Sequence, residues 1–316
     1  FFDKVGDAAA ALAEARAMVD DGVKVDEALA VVERILGKTD ADVAVRNDAL
    51  EVLRAQYVAA DRNADVERVL AIALTFAPET ERIALHRELA RRAEERGDPG
   101  AALEHWAAVL GLDPTDETAE EKLVALAEAT AAFGRLAQAL EVASRRATQS
   151  SRRVGLLLSA ADVRARADRD AAETLYREVL DGEGVATRFR RDAARRLSAI
   201  LDVPERRADR LAAFERVAEL ETEQAERRRV LGLVARLATA LGEIDRALGG
   251  WARRLSADPG DVEALEARIE LLEKAERHAE LVDALLHRAA LPMPAVLRRD
   301  DLVRAAAVLA GPLADA

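Results

Sequence analysis

The stretch GDPGAALEHWAAVLGLDP, from Gly97 to Pro114, is echoed 145 residues later by GEIDRALGGWARRLSADP, from Gly242 to Pro259. Gly, Ala-Leu, Trp, Leu and the closing Asp-Pro stand at matching positions in both. A chain that repeats itself over such lengths stacks like units on one another, each burying its apolar face against its neighbours. Within the first stretch Ala102, Leu103, Trp106, Val109 and Leu110 recur at three- and four-residue intervals, which puts them on one face of a helix. Gly97-Asp98 reads as a stop followed by an N-cap, and Pro99 is tolerated in the first turn, where its missing N–H has no partner to lose. Asp113-Pro114 ends the helix, because the residue before a proline is pushed out of helical geometry.

The preceding ERIALHRELARRAEER, Glu81 to Arg96, carries Ile83, Leu85, Leu89, Ala90 and Ala93 on one side and forms a second amphipathic helix. Helix, tight turn and helix make an antiparallel hairpin. The same pattern places turns near Val23, Asp61, Gly97, Gly134, Ala167, Glu205, Gly242 and Ala275, at spacings that average 36 residues. That period is the signature of a helical solenoid. Val32, Leu70, Trp106, Ala143, Tyr176, Phe214 and Trp251 fall at equivalent second-helix positions and are expected to plug the gap between successive hairpins. Both tryptophans are therefore read as packing residues rather than ligand platforms. A further helix is expected after Pro294.

The pattern resembles the tetratricopeptide repeat family. That family has a small residue early in its second helix, a bulky one four positions on and a closing proline; here these are Ala102, Trp106 and Pro114, and again Ala247, Trp251 and Pro259. The family's Leu-Gly pair in the first helix is replaced by Leu89-Ala90 and Val234-Ala235. Most spacings exceed the family's period, as in a degenerate long-repeat relative, with HEAT or armadillo repeats as the structural alternative. The resemblance implies an all-α fold, a right-handed α-solenoid of about eight helix-turn-helix hairpins, forming a single domain over residues 1–316. It also implies a scaffold or adaptor that holds another protein's segment along a concave groove lined by first helices. The family's carboxylate clamp does not carry over: the chain has five Lys and two Asn, Asn47 and Asn63, and they are not spaced to converge.

Chemistry beyond binding has little support. There is no Cys, hence no thiolate site or disulfide. Neither phosphate-loop glycine pattern occurs. His86, His105, His278 and His287 lack the spacing and carboxylate of a zinc helix and read as solvated or edge-packed. No enzyme, cofactor or metal is expected. The longest uncharged stretches, such as Val69 to Pro78, fall far short of the roughly 18–20 residues that span a bilayer, so a soluble chain is expected, cytoplasmic or alternatively periplasmic. The start, FFDK, has neither Met nor a leader pattern and reads as a piece of a longer chain.

Charge directs attention to the middle. The net charge is −12, distributed as −13 over residues 1–144, +4 over 145–229 and −3 over 230–316. In VATRFRRDAARRLSAI, Val185 to Ile200, a helical wheel gathers Ala186, Phe189, Ala193, Leu197 and Ile200 on one side and Arg188, Arg191 and Arg195 on the other. By the hairpin register this is a first helix, so Arg188, Arg191 and Arg195 are the candidate partner-binding residues, with an acidic protein segment as the fitting ligand. Self-association of the acidic first half with the Arg-rich middle is a second reading. Nucleic acid is less favoured: acids share the segment, and few aromatics are available for stacking.

Overall fold

A computed structural model describes residues 7–313. Seventeen α-helices and no strand occur among the described residues. They are α1 (Ala8–Asp20), α2 (Val25–Gly37), α3 (Val43–Ala59), α4 (Asn63–Leu74), α5 (Glu79–Arg96), α6 (Pro99–Leu112), α7 (Glu117–Thr130), α8 (Phe133–Arg146), α9 (Ser150–Arg164), α10 (Arg169–Asp181), α11 (Thr187–Ile200), α12 (Arg207–Leu220), α13 (Gln224–Leu241), α14 (Ile244–Ala257), α15 (Val262–Lys274), α16 (His278–Ala290) and α17 (Ala295–Ala310). Paired in order, α1–α8 form four hairpins and α11–α16 three more, followed by the helix after Pro294, in a tetratricopeptide-like helical-repeat fold.

Seven of the eight expected turns lie between successive helices. The remaining one is displaced: α7 is capped by Ala131, which adopts a left-handed φ of 55°, and Gly134 sits inside the first turn of α8. Left-handed residues also occupy the turns at Lys24, Asp61, Gly97, Gly242 and Glu276. Gly97 and Gly242, like Gly22 and Gly184, take that conformation without the Cβ clash that costs other residues on the order of 1–2 kcal/mol. The two echoed stretches thus begin at left-handed turns free of that clash. Asp98 accepts from the Ala101 N–H at 3.0 Å, and Asp113 closes α6 in an extended conformation.

The chain divides into two compact units, residues 1–163 and 164–316. In the first, each of α1 to α8 packs on its chain neighbours, and α1 also meets α3, α2 meets α4 and α6 meets α8. A core of Leu12, Leu29, Ile35, Leu53, Val69 and Leu89 runs through its opening hairpins. In the second unit the stacking order is again the chain order from α10 to α17, over a core that includes Leu211, Val234, Trp251, Leu265, Ile269 and Leu285. Second-helix plugs are buried as expected: Val32, Leu70, Trp106, Ala143, Tyr176 and Trp251 are at most 4% exposed, while Phe214 is half-buried. Local packing between successive helices supplies the stability of such a stack. No described helix is long and apolar enough to cross a membrane.

Candidate partner-binding site

Helix α11 starts after Ala186, which offers no side-chain cap, and buries Ala193, Ala194, Leu197 and Ser198. Phe189 and Ile200 are half-buried on the same side, so the apolar face follows the wheel, although Ala186 itself is exposed. The three arginines project from the rest of the helix into two different environments.

Arg191 and Arg195 converge on one carboxylate. Arg191 Nη1 donates to Glu221 Oε1 at 3.4 Å and to Thr222 Oγ1 at 3.2 Å, and Arg195 Nη2 pairs with Glu221 Oε2. The Glu221 side chain is 2% exposed. Its carboxylate also accepts from the Thr222 and Glu223 N–H groups, at 2.9 and 3.1 Å, just before α13 begins. Burial pushes the Glu221 carboxyl pKa up, but the two backbone donors and the two guanidiniums outweigh it and hold the pKa below the usual value. Arg195 lies 3.9 Å from Glu226, whose carboxyl is held low chiefly by Arg229. These contacts tie α11 to the entry of α13, a structural task that the wheel alone does not disclose. Arg191 Nε is buried without a hydrogen-bond partner.

Arg188 differs. It is exposed, has no ion pair among the described residues, and its guanidinium carbon lies 4.5 Å from the centroid of the half-buried Phe189 ring. It is the stripe member whose charge is open to a ligand.

Three other arginines of the middle segment hold acids about one repeat away. Arg152 reaches Glu120 at 2.6 Å, Arg206 reaches Glu173 at 2.9 Å, and Arg228 reaches Asp261 at 2.8 Å. The rule extends outside the segment: Arg68–Glu33, Lys122–Glu94, Arg135–Glu104, Arg246–Glu215 and Arg277–Asp245 all join residues 28 to 35 apart in sequence. A helical wheel shows neighbours within one helix and not these rungs between hairpins. The signal was available in the spacing, because equivalent positions recur at the repeat period.

The histidines divide. His86 in α5 and His105 in α6 face each other with Nδ1 to Nδ1 at 3.1 Å, both half-buried. Burial, followed by the neighbouring His105 and Arg82, pushes His86 down to about 4. Burial also lowers His105. No cluster of three or more metal-ligating side chains occurs among the described residues.

No protein-family profile and no curated protein sequence matches the chain. Solved structures similar to it include the MamA protein, 13% identical over 66% of this chain and 91% of that one, with a TM-score of 0.31. PilF of Pseudomonas aeruginosa is 19% identical over 71% of this chain and 96% of that one, at a TM-score of 0.32. The C-terminal part of a TPR repeat-containing protein from Cytophaga hutchinsonii is 13% identical over 81% and 98% of the two chains, at 0.34. The fold assignment rests on the hairpins described above.

Proposed function

We propose that the chain is a non-catalytic interaction scaffold that holds a segment of another protein along the first helices of its hairpins, with α11 as a contact element. The observation that carries this reading is the exposed, unpaired guanidinium of Arg188 beside Phe189. Such a pair offers a forked charged donor and an apolar surface together, a combination suited to an acidic peptide. Arg191 and Arg195 border the same strip, held there by Glu221. The stack itself supplies extended surface without requiring any residue to react.

The test places a photo-crosslinking residue at the exposed Thr187, beside an intact Arg188, in the full chain and irradiates it in lysate of its native source. The expected result is a covalent adduct with a second protein, suppressed by excess unlabelled wild-type chain, and an association weakened about tenfold or more by Arg188→Glu. An adduct only with another copy of the chain would support self-assembly instead. No adduct at all would remove α11 from the contact surface.

A further inference from the structure

We infer that the cleft between α13 and α14 is an oxyanion pocket that seats carboxylate side chains of an acidic peptide segment. This deepens the scaffold reading and rests on it. The cleft has a volume of about 500 Å³ and is lined by Thr222, Gln224, Arg227, Arg228, Arg253 and Ser256, among others. Three guanidiniums, two hydroxyls and one amide surround it, with no acidic side chain in the lining.

The echo between the hairpins supplies an internal control. Shifting by 145 residues, the counterparts of Thr222, Gln224, Arg228, Arg253 and Ser256 in α5 and α6 and the loop before them are Ala77, Glu79, Ile83, Ala108 and Gly111. The first copy builds the same helical frame, with the same Trp, the same Gly turn and the same closing Asp-Pro, from small or apolar residues at four of these five places and an acid, Glu79, at the fifth. Packing therefore does not demand the polar lining of the second copy. The one shared cation behaves differently in the two places: Arg82 is tied back onto the Ala77 carbonyl at 2.9 Å, whereas the side chain of its counterpart Arg227 is exposed and has no ion pair or hydrogen bond among the described residues.

Arg253 is likewise exposed and unpaired among the described residues. Arg228 is different, because Asp258 and Asp261 match its charge at 2.8 Å each. Arg227 and Arg253 are thus the two uncompensated charges of the pocket, and the hydroxyls of Thr222 and Ser256 can complete the shell around a carboxylate. Thr222 also accepts from Arg191 Nη1, so the pocket adjoins the strip of α11. A peptide lying on α11 would reach it without leaving the second unit.

The probe is a fluorescein-labelled hexaglutamate, titrated against the full chain at low salt by polarisation, with hexaglutamine as the uncharged control. The wild type is expected to bind the first and not the second. Arg227→Gln with Arg253→Gln should weaken hexaglutamate binding at least about tenfold, while Arg169→Gln with Arg207→Gln, an equal loss of exposed charge in the same unit, should change it less than about twofold. All four arginines are exposed, and circular dichroism verifies that the variants keep the wild-type helix content. Unchanged affinity in the first variant, or equal losses in both, would overturn the pocket. So would a single-stranded oligothymidylate that displaces the peptide, binds more tightly and loses affinity in the same variant. A Thr187 adduct alongside a negative peptide titration would leave the scaffold reading standing and remove the pocket alone.

Discussion

The α5–α6 and α13–α14 hairpins share a frame and differ in how they hold it. Each turns at a left-handed glycine, with φ of 75° at Gly97 and 76° at Gly242. Each buries a tryptophan from the second helix, and each is followed by a buried aspartate, Asp116 or Asp261, that caps the next helix through the Ala119 or Ala264 N–H. The cation beside that aspartate comes from different places. In the first copy it is Arg87 of α5, 2.6 Å from Asp116, with Val109 filling the second helix. In the second, position 87 corresponds to Gly232 and position 109 to Arg254, which lies 2.5 Å from Asp261. A Cβ on Gly232 would sit 2.8 Å from the Arg254 guanidinium, so the glycine is the space the relocated arginine needs. The fold requires a capping aspartate with a cation beside it, and either helix can supply the cation.

Relocation changes the surroundings of the tryptophan. Trp106 Nε1 donates to Glu94 at 2.6 Å, and Glu94 is held in turn by Lys122. Trp251 stands between Arg254 and Arg236, 5.5 and 6.0 Å from its ring centroid, and its Nε1 is buried with no partner. The second hairpin gains a buried guanidinium against an aromatic face and loses an indole hydrogen bond.

The largest expected effect tests the shared part. Trp106→Ala and Trp251→Ala should each cost about 3–5 kcal/mol by urea denaturation, because both side chains fill the joint between helices. Trp→Phe separates them: Trp106→Phe also breaks the bond to Glu94 and should cost about 1 kcal/mol more than Trp251→Phe. Equal costs for the two Phe variants would mean that the orphaned indole of Trp251 finds a partner in solution.

Next comes the relocated cation. Arg254→Val should destabilise by about 3 kcal/mol, since it removes a buried guanidinium packed on Trp251 and leaves Asp261 only Arg228, whereas Arg87→Ala removes a half-exposed guanidinium whose place water can fill beside Asp116 and should cost less, about 1–2 kcal/mol. Adding Gly232→Arg to Arg254→Val rebuilds the first copy's arrangement and should recover at least half of the loss. Failure to recover, in the same denaturation assay, would show that the neighbourhood of Trp251 has come to depend on Arg254 itself.

The sequence disclosed the frame and concealed these exchanges for one physical reason. Helix periodicity, glycine turns and Asp-Pro stops act within a few residues, so the hairpins, the plugs from Val32 to Trp251 and the helix after Pro294 were legible. The displaced turn at Ala131 was not, because an alanine in the left-handed region carries no compositional mark. Glu221 was missed as the anchor of Arg191 and Arg195 because it lies 26 to 30 residues away, where one helix wheel has no reach. Gly232 looked like any helical glycine until Arg254 was seen above it.

Acid should separate the copies more mildly. The imidazoles of His86 and His105 are both lowered from the ordinary value near 6.5, burial being the largest cause. Their counterparts are Leu231 and Gly250, which do not titrate. For a group whose folded pKa is depressed, stability is fully present above the unfolded value and is lost as pH falls through the folded one; for His86 that window runs from 6.5 down to about 4. The pair is half exposed, so solvent screening reduces the effect to about 1 kcal/mol. Between pH 7 and pH 4.5 the wild type should lose about that much more than His86→Leu, which carries the second copy's residue. Equal losses would assign the acid sensitivity to carboxylates shared by both proteins.

The smallest effect runs the other way. Thr239 occupies the place that Glu94 holds in the first copy, but its hydroxyl bonds to the Ala235 carbonyl at 2.8 Å and leaves Trp251 Nε1 unsatisfied. A glutamate there would face Trp251 without the lysine that steadies Glu94, since the counterpart of Lys122 is Ala267. Glutamine avoids that charge, reaches as far and presents a carbonyl oxygen to the indole N–H. Thr239 is exposed and in the last turn of α13, where a straight-chain residue also suits the helix better than a β-branched one. Thr239→Gln should therefore stabilise by about 0.5–1 kcal/mol, read as a shift of the urea midpoint. Adding it to Trp251→Phe should restore nothing, because the acceptor then has no indole to serve. A gain of equal size in both backgrounds would trace the effect to helix propensity and leave the two tryptophans alike.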